Sequence, residues 1–267
     1  MTDDRDAGAP PDHKPPAAAD DDGVWADLRR LTAARIGLRR TGASLATGPL
    51  LDFQLAHARA RDAVHEPLDE APLITDLVAL GLPVVALASA AEDRRHYLMR
   101  PDLGRRLGPD AASTLRAHAG GHDIAFVITD GLSARAVQMH AAPVLAGVLP
   151  SLRTDGWRIA PLVLVRHGRV AVGDAVATAL RADLVAVLIG ERPGLTAPHS
   201  MGAYLTWQPS PQTSDADRNC ISNIRPDGME YSDAAFSLVR MLRVMRVRRL
   251  SGVQLKDDSD RLSICGQ

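Results

Sequence analysis

Lysine is almost missing from this sequence. Only Lys14 and Lys256 occur, both in the flanking segments, and arginine supplies the rest of the 31 cationic side chains. A pyridoxal enzyme or a class I aldolase needs a lysine amine in a desolvated pocket, so this distribution argues against Schiff-base chemistry. Cysteine is equally scarce: Cys220 and Cys265 cannot build a disulfide framework, and both thiols are expected to be reduced. No apolar run approaches the roughly 20 residues of a membrane helix. The longest, such as Ala182 to Gly190, is far shorter and contains Asp183, so no membrane span is expected. A formal charge of -1 leaves no basic excess for neutralising phosphates, which sets nucleic acid aside as the main partner.

Familiar motifs are also missing. There is no G-x-G-x-x-G after a strand and no G-x-x-x-x-G-K-[ST], so dinucleotide and P-loop phosphate binding lose support. No G-x-S-x-G elbow occurs, and Ser133 has no obvious histidine partner. His118 and His122 have an H-x-x-x-H spacing, but Gly120 and Gly121 interrupt it, so they read as loop histidines rather than zinc ligands. The first stretch, "MTDDRDAGAPPDHKPPAAADDDG", is acidic and proline-rich without an apolar h-region. It is not a secretory signal, and a cytoplasmic location is expected.

What is present is an ordinary globular composition, 46% apolar and 24% charged, organised in blocks. Residues 1 to 22 hold almost no large apolar group and are expected to be a disordered tail; residues 256 to 267 form a short C-terminal tail. Residues 24 to 110 read as a helical section. Val24, Trp25, Leu28 and Leu31 recur at helical spacing, and a second helix starts near Thr47 with Pro49 in its first turn. A short helix, "ITDLVALG", then meets "LPVVALAS", which reads as a strand, and a further helix spans about Pro109 to His118.

From residue 120 to 255 the rhythm becomes strand, polar turn, helix. "DIAFVITDGLS", "IAPLVLVRHGRV" and "DLVAVLIGERPG" each begin as an apolar run buried on both faces, with helices between them. That alternation predicts an α/β fold: a Rossmann-like parallel sheet with an N-terminal helical section. Pro143 lowers the quality of the helix "ARAVQMHAAPVLAGVL". "AYLTWQ" reads as a further strand with the sheet edge as its candidate place, and Ser232 as the cap of a last, arginine-rich helix.

Ligands of open parallel sheets lie beyond the carboxyl ends of the strands. Three stretches fall there: "TDGLS" at 129 to 133, "RHGRV" at 166 to 170 and "GERPG" at 190 to 194. Gly131, Gly168, Gly190 and Gly194 suggest close backbone approach to a large ligand, although strand-to-helix turns favour such residues in any case. Asp130, after a strand and before a helix, reads as a helix cap. Cys220 in "DRNCISNI" is open to two readings, a buried core thiol or one activated by Arg218.

Taken together, "YLMRPDLGRRL" (97 to 107), "ITDGLSARAV" (128 to 137), "VRHGRV" (165 to 170), "GERPGL" (190 to 195) and "DRNCISNI" (217 to 224) resemble the small (light) subunit of ethanolamine ammonia-lyase, in the family's order and over residues 24 to 254. The resemblance implies a subunit of an adenosylcobalamin-dependent enzyme that deaminates ethanolamine to acetaldehyde and ammonia. The catalytic barrel would belong to a separate large subunit, and this chain would cover cobalamin at the interface of a hetero-oligomer, inactive alone. Carried over motif by motif, Val170, Glu191 and Cys220 correspond to the family's cobalamin contacts, with Arg192 as a candidate to keep Glu191 ionised. No D-x-H-x-x-G string is present, consistent with a cofactor that keeps its own base on cobalt. Some relatives carry a longer leader associated with a bacterial microcompartment; the short acidic N-terminus here leaves encapsulation open. The residues alone also leave open a self-sufficient enzyme with a Rossmann-like nucleotide site, and a purely structural assembly subunit.

Overall fold

The structure, a computed structural model, describes residues 22–255. The expectations for the N-terminal tail, for the C-terminal tail with Cys265, and for Lys14 and Lys256 lie outside the described residues, save that Asp22 begins the first helix. The chain divides into two compact units between residues 52 and 53. In the first, helix α1 (Asp22–Arg30) is followed by a small hairpin, β1 (Arg40–Thr41) and β2 (Ser44–Leu45). Arg29 ties α1 to the segment that precedes the hairpin by donating to the carbonyls of Ile36, at 3.1 Å, and Gly37. Helix α2 (Thr47–His65) starts at the expected Thr47 and continues into the second unit.

The second unit adds α3 (Glu70–Val78), β3 (Val84–Ala88), α4 (Arg94–Met99) and α5 (Ala111–Arg116). It then alternates β4 (His122–Thr129), α6 (Ala134–Thr154), β5 (Leu162–Arg166), α7 (Val172–Leu180) and β6 (Ala182–Gly190). Two further strands, β7 (Met201–Trp207) and β8 (Arg218–Ile224), precede the last helix, α8 (Tyr231–Arg248). The six long strands form one mixed sheet in the order β3-β5-β4-β6-β7-β8. The first four run parallel, whereas β7 and β8 are antiparallel to their neighbours. β3, from within the section read as helical, therefore joins the main sheet.

Period-two alternation explains why both faces of the parallel strands are apolar. Ile124, Phe126 and Ile128 of β4, with Leu162, Leu164, Leu184 and Leu188, turn to the face covered by α3, α6 and α8. Ala125, Val127, Val163, Val165, Val185 and Val187 turn to the other, against Leu115 of α5 and Val172, Val176 and Leu180 of α7. The larger side chains thus meet the longer helices, and every one of these residues is buried.

Three local expectations are corrected. α6 runs unbroken for 21 residues despite Pro143 and Pro150, because both prolines sit on its exposed face while Val137, Val144, Leu145, Val148 and Leu152 are buried. β7 is not an edge strand; β8 lies outside it, reached through a register irregularity between Met201 and Ala203. Finally, α8 begins at Tyr231 after Glu230, so Ser232 lies inside the helix rather than capping it.

Candidate functional site at the strand ends

The strand order creates a switch point. From β4 the chain moves to β5 on one side, then crosses back to β6 on the other, and the two connecting helices pack on opposite faces. Such a reversal opens a crevice beyond the carboxyl ends of the strands. A cavity of about 410 Å³ lies there, lined by Leu132 after β4, Arg169 and Val170 after β5, and Ile189 to Arg192 at the end of β6. Tyr97 of α4 and Tyr204 of β7 complete its lining. A larger cavity, about 790 Å³, follows α5, α7 and the loop at 210–213, and none of the expected contact residues lines it.

The turns that hold the site are cross-braced. Asp130, almost fully buried, accepts from the His167 backbone N–H at 2.7 Å, from His167 Nδ1 at 3.1 Å and from Arg94 at 3.2 Å. It therefore does not cap α6 with its side chain; it clamps the β5 turn to the end of β4. Thr129 Oγ1 donates to the Val165 carbonyl at 2.7 Å and accepts from Gly168 N–H at 2.9 Å, a second brace between the same turns. Arg94 extends the clamp by donating to the Val64 and Gly131 carbonyls, each at 2.7 Å.

The glycines serve this bracing. A Cβ on Gly131, whose φ is +53°, would collide with the Gly190 backbone, and one on Gly190 would fall on the carbonyls of Ser133 and Asp130. Gly168 is likewise closed by Thr129 and Val172. Three of the four glycines expected to admit a ligand thus admit the chain's own neighbours; only Gly194 keeps ordinary clearance.

Glu191 is half-buried at the cavity and anchored at its far side. Its carboxylate accepts from the Ser200 hydroxyl and from Asn223 N–H at 3.3 Å, and its own N–H donates to the Ser200 carbonyl at 2.9 Å. Gly202 leaves room for this carboxylate, since a Cβ there would lie 2.9 Å from Oε1. Arg192 lines the same cavity, but among the described residues no ion pair joins it to Glu191; Ser200 and Asn223 hold the carboxylate instead.

Cys220 lies on β8 directly across from Tyr204, and it is exposed, which removes the core-thiol reading. Burial around the sulfur pushes its pKa up; a hydrogen bond donated by Tyr204 lowers it only in part, and nearby Glu191 raises it further. Arg218 does not activate it. That guanidinium is buried and makes a bidentate pair with Asp174 at 2.8 and 2.7 Å. Val170 and Glu191 therefore meet in one cavity, and Cys220 stands one residue removed, touching Tyr204 of its lining.

Tyr97, Leu132, Arg169 and Tyr204 were not singled out from sequence. Tyr97, Leu132 and Arg169 fall within matched blocks, but only folding brings Tyr97 and Arg169, 72 positions apart, together: Arg169 Nη2 donates to the Tyr97 carbonyl at 3.3 Å. Of the two histidines read as loop residues, His118 lies between α5 and β4, but His122 is the first residue of β4 and pairs with Ala182; His122 Nε2 meets the His118 carbonyl at 2.9 Å.

Comparison with known proteins identifies the family. The profile of the family described as ethanolamine ammonia-lyase light chain (EutC) matches residues 22–256. A protein named ethanolamine ammonia-lyase small subunit from Azotobacter vinelandii is 53% identical over 240 residues, 88% of this chain and 89% of that protein. Its namesake from Xanthomonas campestris pv. campestris is 54% identical over 242 residues, 89% of each chain. That from Pseudomonas putida is 51% identical over 253 residues, 93% of this chain and 92% of the relative. The chain belongs to the ethanolamine ammonia-lyase light-chain family, and its enzyme class is that of an ammonia-lyase subunit.

Proposed function

We propose that this chain is the small subunit of an adenosylcobalamin-dependent ethanolamine ammonia-lyase and covers the cofactor at its interface with a large catalytic subunit. The observation that carries the reading is the convergence of Val170 and Glu191, from two different turns, on one cavity at the switch point of the sheet. The four parallel strands, with helices on both faces, support the Rossmann-like description of the fold.

The residues present fit a corrin edge. Leu132, Val170 and Ile189 offer apolar contact, Glu191 offers an acceptor for amide or hydroxyl donors, and two buried donors of lining residues, Tyr97 Oη and Arg169 Nε, lack any partner among the described residues. At about 410 Å³ the cavity is far smaller than a whole cobalamin, so this chain would hold one side and the large subunit the rest. Adenosylcobalamin supplies radical chemistry by homolysis of its cobalt–carbon bond. The work left to this chain is to bind the rim, fix its orientation and exclude water, with Val170, Glu191 and Cys220 as contacts.

The test is reconstitution. Ethanolamine deamination is expected only when this chain, a large subunit and adenosylcobalamin are combined, and neither chain alone should turn over. Turnover by this chain alone, or tight nucleotide binding indifferent to cobalamin, would favour a self-sufficient enzyme instead.

A further inference from the structure

Tyr97 is fully buried, yet its hydroxyl has no hydrogen-bond partner among the described residues. Buried hydroxyls nearly always have one, so an orphan on a cavity wall points to an acceptor supplied from outside the chain. The ring is held in place by two guanidinium groups, Arg169 at 4.2 Å and Arg94 at 4.9 Å from its centroid. Burial pushes the Tyr97 pKa up to about 12 against the opposing pull of Arg169, so the phenol is a neutral donor at physiological pH.

Arg169 carries a second orphan. Its Nε is buried without a partner among the described residues, while its backbone N–H donates to the Gly104 carbonyl at 2.7 Å and fixes the turn. Arg94 Nη2 is also unpaired, but Arg94 does not line the cavity. The residues that carry these two unpaired donors thus line one cavity with apolar Leu132, Val170 and Ile189. The complementary ligand surface has neutral carbonyl acceptors beside an apolar face, which is the chemistry of a corrin's amide-bearing rim.

We propose that Tyr97 Oη and Arg169 Nε donate hydrogen bonds to amide carbonyls of the corrin rim and are cofactor-binding residues in addition to Val170, Glu191 and Cys220. This rests on the function proposed above. It predicts opposite signs for two measurements on one variant. In the complex with the large subunit, Tyr97→Phe should bind hydroxocobalamin about 3- to 10-fold more weakly, from the loss of one neutral hydrogen bond. Without cofactor, the same complex should melt at the wild-type temperature or above it, because the deleted hydroxyl had no partner to lose. Arg169→Lys, which keeps the charge and loses the Nε donor, should weaken hydroxocobalamin binding similarly. Glu191→Gln is the control. If Glu191→Gln weakens binding while Tyr97→Phe or Arg169→Lys does not, this proposal falls and the proposed function stands. If none of the three weakens binding, the cavity is not the cofactor site and both fall. A lower melting temperature for cofactor-free Tyr97→Phe would mean that the hydroxyl has a protein partner, which also overturns the proposal.

Discussion

The buried pair between Arg218 and Asp174 is the joint between two of the elements that carry the site. Asp174 lies in the first turn of α7, four residues after Val170, and Arg218 lies two residues before Cys220 on β8. Their side chains are only 10% and 3% exposed, and Arg218 also donates to Thr206 at 3.1 Å. Burial opposes the charge of Arg218, but the hydrogen bonds and charge of Asp174 outweigh it and hold the guanidinium pKa above its ordinary value. Arg218→Met removes all of these bonds and strands the Asp174 carboxylate, a loss of about 3–5 kcal/mol by analogy with broken buried pairs. For a unit of this size each kcal/mol moves the melting temperature by about 2–4 °C, so a fall of roughly 6–20 °C is expected. Arg218→Met combined with Asp174→Leu removes both charges and should recover most of that loss. Thermal unfolding by circular dichroism of the two single variants and the double variant closes the cycle and gives the coupling energy. A loss below about 1 kcal/mol for Arg218→Met, or additive losses in the double variant, would refute the assignment of this pair as the joint.

Two further outcomes follow from single groups. His140 is 1% exposed and bonds Tyr231 Oη at 2.8 Å and the His199 carbonyl at 2.9 Å. Burial depresses its pKa below 6.5, the His199 carbonyl opposes this, and Arg225 adds to the depression. Its folded-state pKa lies below the unfolded one, so the neutral ring's contribution is complete above about pH 6.5 and is lost as pH falls through the depressed value. The melting temperature should therefore drop on acidification below pH 6.5, less steeply in His140→Gln; an unchanged slope would show that this ring does not titrate on unfolding. For Cys220, whose pKa is raised above 9.0, alkylation by iodoacetamide should be slow at neutral pH, faster in alkali, and suppressed by cobalamin in the two-subunit complex. Rapid neutral alkylation would contradict the raised thiol pKa, and lack of protection would remove Cys220 from the contacts.

Much of the sheet was legible because its central strands are apolar on both faces. Ala125 and Val127 are as buried as Phe126, and no polar residue interrupts the run from Ile124 to Ile128. The edge was not: no strand is read from "RNCISNI", because β8 has a neighbour on one side only and leaves Cys220, Ser222 and Asn223 exposed, which breaks the apolar run. The strand-end turns were correctly located, but their chemistry was not. Asp130, Gly131, Gly168 and Gly190 suggested ligand contact or helix capping, and they are used to lock β4, β5 and β6 together. Tyr97 lay beyond sequence reasoning because its significance is an unpaired buried hydroxyl, a property of the folded environment.

The central claim, that the switch-point cavity of this chain holds cobalamin, is tested most directly at Glu191. The variant of choice is Glu191→Gln, because it keeps the side chain's shape and an acceptor for Ser200 and Asn223 while removing the charge. Equilibrium titration of the two-subunit complex with cobalamin should show weakening by about tenfold or more, the equivalent of a charge-assisted contact of about 1.5–3 kcal/mol, with unchanged melting of the cofactor-free complex. Wild-type affinity in that variant would contradict the account.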